Sequence, residues 1–297
     1  MSAESPSCGA CHKQGSDTLK HCSRCKNEAY CSTECQTQHW PTHKAHCKRP
    51  NYILKFHLCP GTITDPPIWR TLSCPADATF QALHKALQIA FGYASIHTYD
   101  FRIKDMEAER QLEEEDSDIT NYIMRMSNAI GDVEQQYVGA RSFLRIVDPD
   151  TMKYIDRMHM GSRRHKETPE KMANRLKLHQ VLDDPSYRDA PLQYEYDFGD
   201  CWEHQMTHMS RADNATDCFQ CTDGEGHGVA EDVGSTDGWK NLKRAYRNQR
   251  PNKEQREKMK WFESFTTNMD PKGLGNGRDK VWPKVEINSR LEKMVGK

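Results

Sequence analysis

The sequence predicts an α+β protein: a small finger folded around metal, then a compact mixed α+β domain carrying a large insertion. Three observations lead there. Eight Cys and His residues stand in four close pairs within the first 50 residues. From residue 52 the pattern changes to short alternating apolar runs broken by Gly and Pro, the signature of strands. Between two of those runs, residues 80–91 space their apolar side chains as one face of a helix.

The pairs are Cys8-x2-Cys11, Cys22-x2-Cys25, Cys31-x3-Cys35 and His43-x3-Cys47. Tetrahedral Zn2+ takes four thiolate or imidazole donors at about 2.0–2.3 Å, and two donors this close in sequence can hold one ion from a single turn. Eight donors therefore fill two closed sites. A closed site leaves no position for water or substrate, so this zinc is expected to be structural. Spacing alone leaves the pairing order open, since consecutive pairs can share an ion or alternate. The x3 spacing to Cys47 selects His43 over His46, and His39 reads as a surface residue beside Trp40. A disulfide framework is the competing use of dense cysteine, but Met1 to Ser7 contains no apolar export segment. A reducing compartment, cytoplasmic or nuclear, is the expectation. So small a module can scarcely bury a core, and metal binding must supply most of its folding free energy.

Residues 48–51, Lys-Arg-Pro-Asn, read as a linker, and 52–291 as the second domain. Tyr52 to Cys59 alternates as a strand and Pro60-Gly61 ends it. Pro66 to Leu72 reads as a second extended segment. Asp77 or Thr79 can cap the helix bearing Phe80, Leu83, Leu87 and Phe91, with Gly92 closing it. His97 to Ile103 reads as a further strand, and 192–199 with 202–208 as a hairpin around Gly199-Asp200. The insertion, about 104–175, opens with an acidic run through Glu113 and Asp116 that reads as a solvated loop, followed by one or two amphipathic helices within 119–160.

Two resemblances attach to these residues. Tyr30-Cys31-Ser32-Thr33-Glu34-Cys35-Gln36, then His39-Trp40 and His43-Lys44-Ala45-His46-Cys47, resemble the second half of a MYND-type zinc finger, and the two earlier pairs match its first half. The interleaved arrangement of that family implies Cys8, Cys11, Cys31 and Cys35 on one ion and Cys22, Cys25, His43 and Cys47 on the other. It also implies that the helix bearing Gln36 and Trp40 helps form a groove for short proline-rich peptides. The bland alternative is that Trp40 is the packing residue of a small module. Pro66-Pro67-Ile68-Trp69-Arg70, Ala90-Phe91-Gly92-Tyr93, His97 with Tyr99-Asp100-Phe101, Tyr196-Asp197-Phe198-Gly199-Asp200-Cys201-Trp202-Glu203-His204 and Glu231-Asp232-Val233-Gly234 with Gly238-Trp239 resemble the plasmid pRiA4b ORF-3-like family. That likeness runs over about 52–246, more weakly to 291, and implies a compact α+β fold without naming a reaction. Cys201 and Ser235 depart from it, the first at a usually acidic position and the second within a usual pair of glycines.

Several functions lack support. The net charge is −1 and the basic residues of the finger are interleaved with acidic ones, so direct nucleic-acid binding is not expected. No apolar run reaches the roughly 18–20 residues that span a bilayer. Neither a Walker loop nor a GxGxxG turn is present, nor a convincing SET methyltransferase segment. Asp197, Asp200, Glu203 and His204 offer carboxylates and an imidazole, but alternation along a strand sends neighbours to opposite faces. No catalytic residue is assigned. Cys218-x2-Cys221, with His208 and His227, is a weaker candidate for a third zinc; Cys59 and Cys74 read as small buried hydrophobes. The expectation is a zinc-binding adaptor or regulator acting through protein–protein contacts, with transcriptional regulation as its setting. The alternative is an enzyme working through Asp200, Glu203 and His204.

Overall fold

A computed structural model of the chain describes residues 7–15, 19–118, 123, 139–148 and 165–296. The fold is α+β, a Cys-rich finger followed by a larger mixed domain. The finger holds a two-stranded ribbon, β1 (Lys20–His21) with β2 (Ala29–Tyr30), and helix α1 (Thr33–His43). Ser32 starts α1 by accepting a hydrogen bond from the Cys35 amide at 3.2 Å.

Among the described residues, the second domain is organised by one eight-stranded sheet. Its strands are β3 (Tyr52–Leu58), β4 (Ile68–Cys74), β5 (Tyr99–Lys104), β6 (Ser142–Val147), β7 (Glu170–Met172), β8 (Leu192–Tyr196), β9 (Trp202–Arg211) and β10 (Gln220–Glu225). Their order is β10-β4-β3-β9-β8-β5-β6-β7, antiparallel throughout except for the β6/β7 pair. Alternation places Tyr52, Leu54, Phe56 and Leu58 of β3 in the core. Helix α2 (Phe80–Phe91) buries Phe80, Leu83, Leu87 and Phe91 as its spacing predicts. Thr79, rather than Asp77, caps it, accepting from the Ala82 amide at 3.1 Å, and Gly92 ends it with φ of +77°, a conformation glycine adopts without Cβ strain.

Helix α3 (Met106–Asp116) and the single turn α4 (His179–Leu182) come next. Near the carboxyl end lie α5 (Ser235–Arg247), α6 (Lys253–Ser264) and α7 (Lys284–Glu292). α5 packs on α6, burying Trp239 and Phe262, and α7 covers the outer edge of the sheet at β10. There Asn288 accepts from the Cys221 amide at 2.8 Å and donates to its carbonyl at 2.9 Å, satisfying an edge strand that would otherwise expose unpaired backbone. At Gly238 the helix comes so close to Val233 that a Cβ would stand 1.8 Å from its carbonyl oxygen.

The insertion differs from its sequence reading. The acidic run is α3, not a loop. Asp105 caps it, Glu107 and Glu109 complement the positive end of the helix dipole, and Arg110 bridges Glu107 at 2.7 Å. It buries no side chain, so the run is solvated as expected, but as a helix. The insertion also supplies β6 and β7 to the main sheet. Arg145 on β6 is fastened by Asp100 at 2.8 Å and Glu170 at 2.9 Å. The helices expected within 119–160 fall largely outside the described residues.

Candidate functional site

The finger folds its eight donors into two groups, Cys8, Cys11, Cys31 and Cys35, and Cys22, Cys25, His43 and Cys47. Backbone geometry brings them there. The His12 amide donates to the Cys8 carbonyl and the Lys26 amide to the Cys22 carbonyl, each at 2.9 Å, closing a tight turn around each Cys-x2-Cys pair. The β1/β2 ribbon and α1 then deliver the remaining donors. Within the groups, Cys11 to Cys31, Cys31 to Cys35, Cys22 to Cys47 and Cys25 to His43 Nε2 all lie at 3.6 Å. Bonds of about 2.3 Å to a central tetrahedral ion place sulfurs roughly 3.8 Å apart, so both groups have the size of a zinc site.

Electrostatics favours a cation in each group. Cys8 is drawn down to about 6, first by the Cys11 amide and then by that of Cys31. In the second group burial opposes ionisation of Cys22, but the amides of Cys25 and Arg24, with His43, outweigh it and bring that thiol to about 6 as well. Their neighbours then resist: Cys31 is pushed up to about 12, first by its contacts with Cys11 and Cys35, and Cys47 to about 12, first by burial. A cation between them offsets that resistance and lets a second thiolate form beside the first. The finger binds two structural zinc ions, each closed by four protein donors.

Around the second site the rings are layered. His39 is half-buried rather than a free surface residue: its Nδ1 meets the Tyr30 hydroxyl at 3.1 Å and its ring stacks on His43 at 5.8 Å. Trp40 stands edge-on to His43 at 5.9 Å and is 36% exposed, whereas Tyr30 is 1% exposed. Thus the zinc ligand His43 props the indole from beneath while leaving part of it to solvent. His46 is exposed.

The hairpin cluster in the second domain disperses. Glu203 is exposed on one face of β9 while His204 is fully buried on the other, between Phe91, Tyr93 and Tyr194. Burial pushes the His204 imidazole down to about 3, so it is neutral at physiological pH. Asp200 turns elsewhere and accepts from the Gly234 amide at 3.3 Å. Asp200, Glu203 and His204 therefore form no common site. The proposed third zinc set disperses too: Cys221 is buried on β10, His227 pairs with Asp270 at 3.0 Å, and His208 packs on Tyr52.

Sequence reasoning missed a different convergence. His97, just before β5, Asp197, in the β8–β9 turn, and Asp232, just before α5, bring donor atoms within 4.8 Å of one another. Asp200 lies beside them: burial raises its carboxyl, and Asp197 and Asp232 raise it further, against the opposing amides of Ser235 and Gly234. Asp197, Cys201, Asp232 and Ser235 all take left-handed backbone, with φ of 60°, 54°, 57° and 59°. Such strain persists where the surroundings over-determine it. A hydrogen-bonded frame lies behind: Tyr196 donates to Glu231 at 2.7 Å and accepts from the Ile96 and His97 amides, while Glu231 also takes the Thr267 hydroxyl at 2.6 Å. All three donors lie within the family motifs, but 100 and 35 residues separate them in sequence and only the tertiary fold joins them.

Comparison with known proteins agrees with this division. A family model described as plasmid pRiA4b ORF-3-like protein matches residues 62–273, and one described as MYND finger matches residues 8–47. A SET and MYND domain-containing protein of Dictyostelium discoideum is 50% identical over 46 residues, which is 14% of this chain and spans only 8% of that relative's length. A crystal structure of a protein of unknown function from Methanosarcina mazei Go1 aligns over 80% of this chain and 96% of its own, with a TM-score of 0.49 and 18% identity.

Proposed function

This chain belongs to the plasmid pRiA4b ORF-3-like protein family and carries a MYND finger ahead of the shared domain, and from that premise we propose that it is an adaptor or regulatory protein. MYND fingers are in general protein-interaction modules. In this reading the finger captures a short proline-rich segment of another protein, and the second domain holds the captured partner near a further surface. The setting we propose is transcriptional control, in the cytoplasm or nucleus. The single observation that carries the reading is Trp40, a half-open indole supported edge-on by a zinc-bound imidazole. A rigid aromatic face of this kind packs against proline rings at little entropic cost.

Fluorescence titration of the full chain with proline-rich peptides tests it, with Trp40→Ala followed by anisotropy of labelled peptide. Loss of a buried aromatic contact at such a surface should weaken binding by roughly tenfold or more while zinc content stays at two. Unchanged affinity would remove Trp40 from the recognition surface.

A further inference from the structure

We propose that His97, Asp197 and Asp232 form an open binding site for a divalent cation, separate from the two zinc sites of the finger. His97 Nε2 lies 3.6 Å from Asp197 Oδ2 and 3.5 Å from Asp232 Oδ1. These separations are too long for the charge-assisted hydrogen bonds of an imidazolium with carboxylates, which close to about 2.7–2.9 Å. Nitrogen and oxygen ligands at about 2.0–2.2 Å from a shared tetrahedral ion stand roughly 3.3–3.6 Å apart. The finger provides an internal scale, since its zinc donors are held at 3.6 Å.

One orphaned atom supplies independent evidence. His97 Nε2 is buried and makes no hydrogen bond among the described residues. Asp197 is 6% exposed; its Oδ1 takes the Gly199 and Asp200 amides at 2.9 and 3.4 Å, which turns its Oδ2 toward His97 Nε2 at 3.6 Å. Leaving a buried imidazole nitrogen unsatisfied costs free energy that a cation shared with the two carboxylates recovers. The frame is fixed independently of any ion: the neighbours of the two aspartates, Tyr196 and Glu231, bond to each other, and Tyr196 also takes the His97 amide at 3.3 Å.

The donor set indicates the class of ion. One imidazole with two carboxylates suits a small transition-series cation such as Zn2+, Mn2+ or Fe2+ better than Ca2+, which seeks six or more oxygens. Three protein donors leave coordination positions over, and the half-exposed Asp232 marks the side open to water. The finger closes its ions with protein alone; this site admits an external ligand such as an oxyanion.

The test is metal titration of the full chain after the finger has received two equivalents of zinc, with free Mn2+ read by electron paramagnetic resonance and a third equivalent of Zn2+ by native mass spectrometry. One further ion of either metal should bind per chain. His97→Ala should abolish it, and Asp232→Asn should weaken it at least tenfold, with both zinc ions retained. Asn suits the left-handed backbone at 232 as well as Asp does, so the second variant removes charge while preserving shape. No third ion of either kind at millimolar metal, or equal binding by the folded variants, would overturn the proposal. Neither outcome depends on what the finger binds.

Discussion

The two parts of the chain reach a defined structure by opposite routes. In the finger, the buried side chains are largely the ligands themselves: Cys8, Cys22, Cys25, His43 and Cys47 are all 5% exposed or less, with Tyr30 the one large ring among them. In the second domain an apolar core runs from Tyr52 to Leu291, between an eight-stranded sheet and its helices. Each part is therefore vulnerable in a different place. Removing metal withdraws the interactions that replace a core in the finger, whereas the domain answers to packing and to the burial of its polar groups.

Chelation should separate them most sharply. Stripping zinc is expected to abolish the fold of the finger, because structural zinc supplies about 10–16 kcal/mol in comparable small modules. The second domain should keep its cooperative unfolding transition. Limited proteolysis alongside calorimetry distinguishes the two, and a domain that melts together with the stripped finger would break the comparison.

Acid should reach the domain as well as the finger, whose zinc ligands it protonates. Burial holds His84 and His204 down to about 3 in the folded protein, against an ordinary value near 6.5. Between those values the unfolded chain binds the protons and the folded chain does not. Stability therefore falls as pH drops below about 6.5, by about 1.4 kcal/mol per pH unit for each histidine. Urea unfolding at several pH values should show His204→Phe with a shallower dependence between pH 6 and 4 than the parent protein; an identical slope would remove His204 from the account.

A smaller effect sharpens the picture of the strained loops. Ser235 holds φ of 59° at a position where the family resemblance implies glycine. Replacing it with glycine relieves a Cβ clash and should stabilise the domain by about 1 kcal/mol, read as a shifted denaturation midpoint with unchanged zinc content. A destabilised variant would mean that the hydroxyl contributes more than the strain costs.

How much of this was legible depended on how local the signal was. The zinc donors come in pairs that each make one turn, so spacing exposed them, although their interleaved assignment needed the family likeness. Helix α2 was readable because its periodicity, its Thr79 cap and its Gly92 stop agree. The strand β6 was not, because Ser142 to Val147 lies inside an insertion and is recognised as a strand only through its pairing with β5. The charge run of α3 was misread because like charges argue for a loop, while capping and Arg110 argue locally for a helix. The His97, Asp197 and Asp232 convergence carries no local signal, since each donor comes from a different turn.

The finger is closed by its own sulfurs and imidazole. X-ray absorption at the zinc edge, on full-length protein carrying two equivalents of metal, measures this most directly. The account predicts seven sulfurs and one imidazole nitrogen shared by the two ions, with no water in either coordination sphere; oxygen ligands, or a sulfur count well below seven, would contradict it.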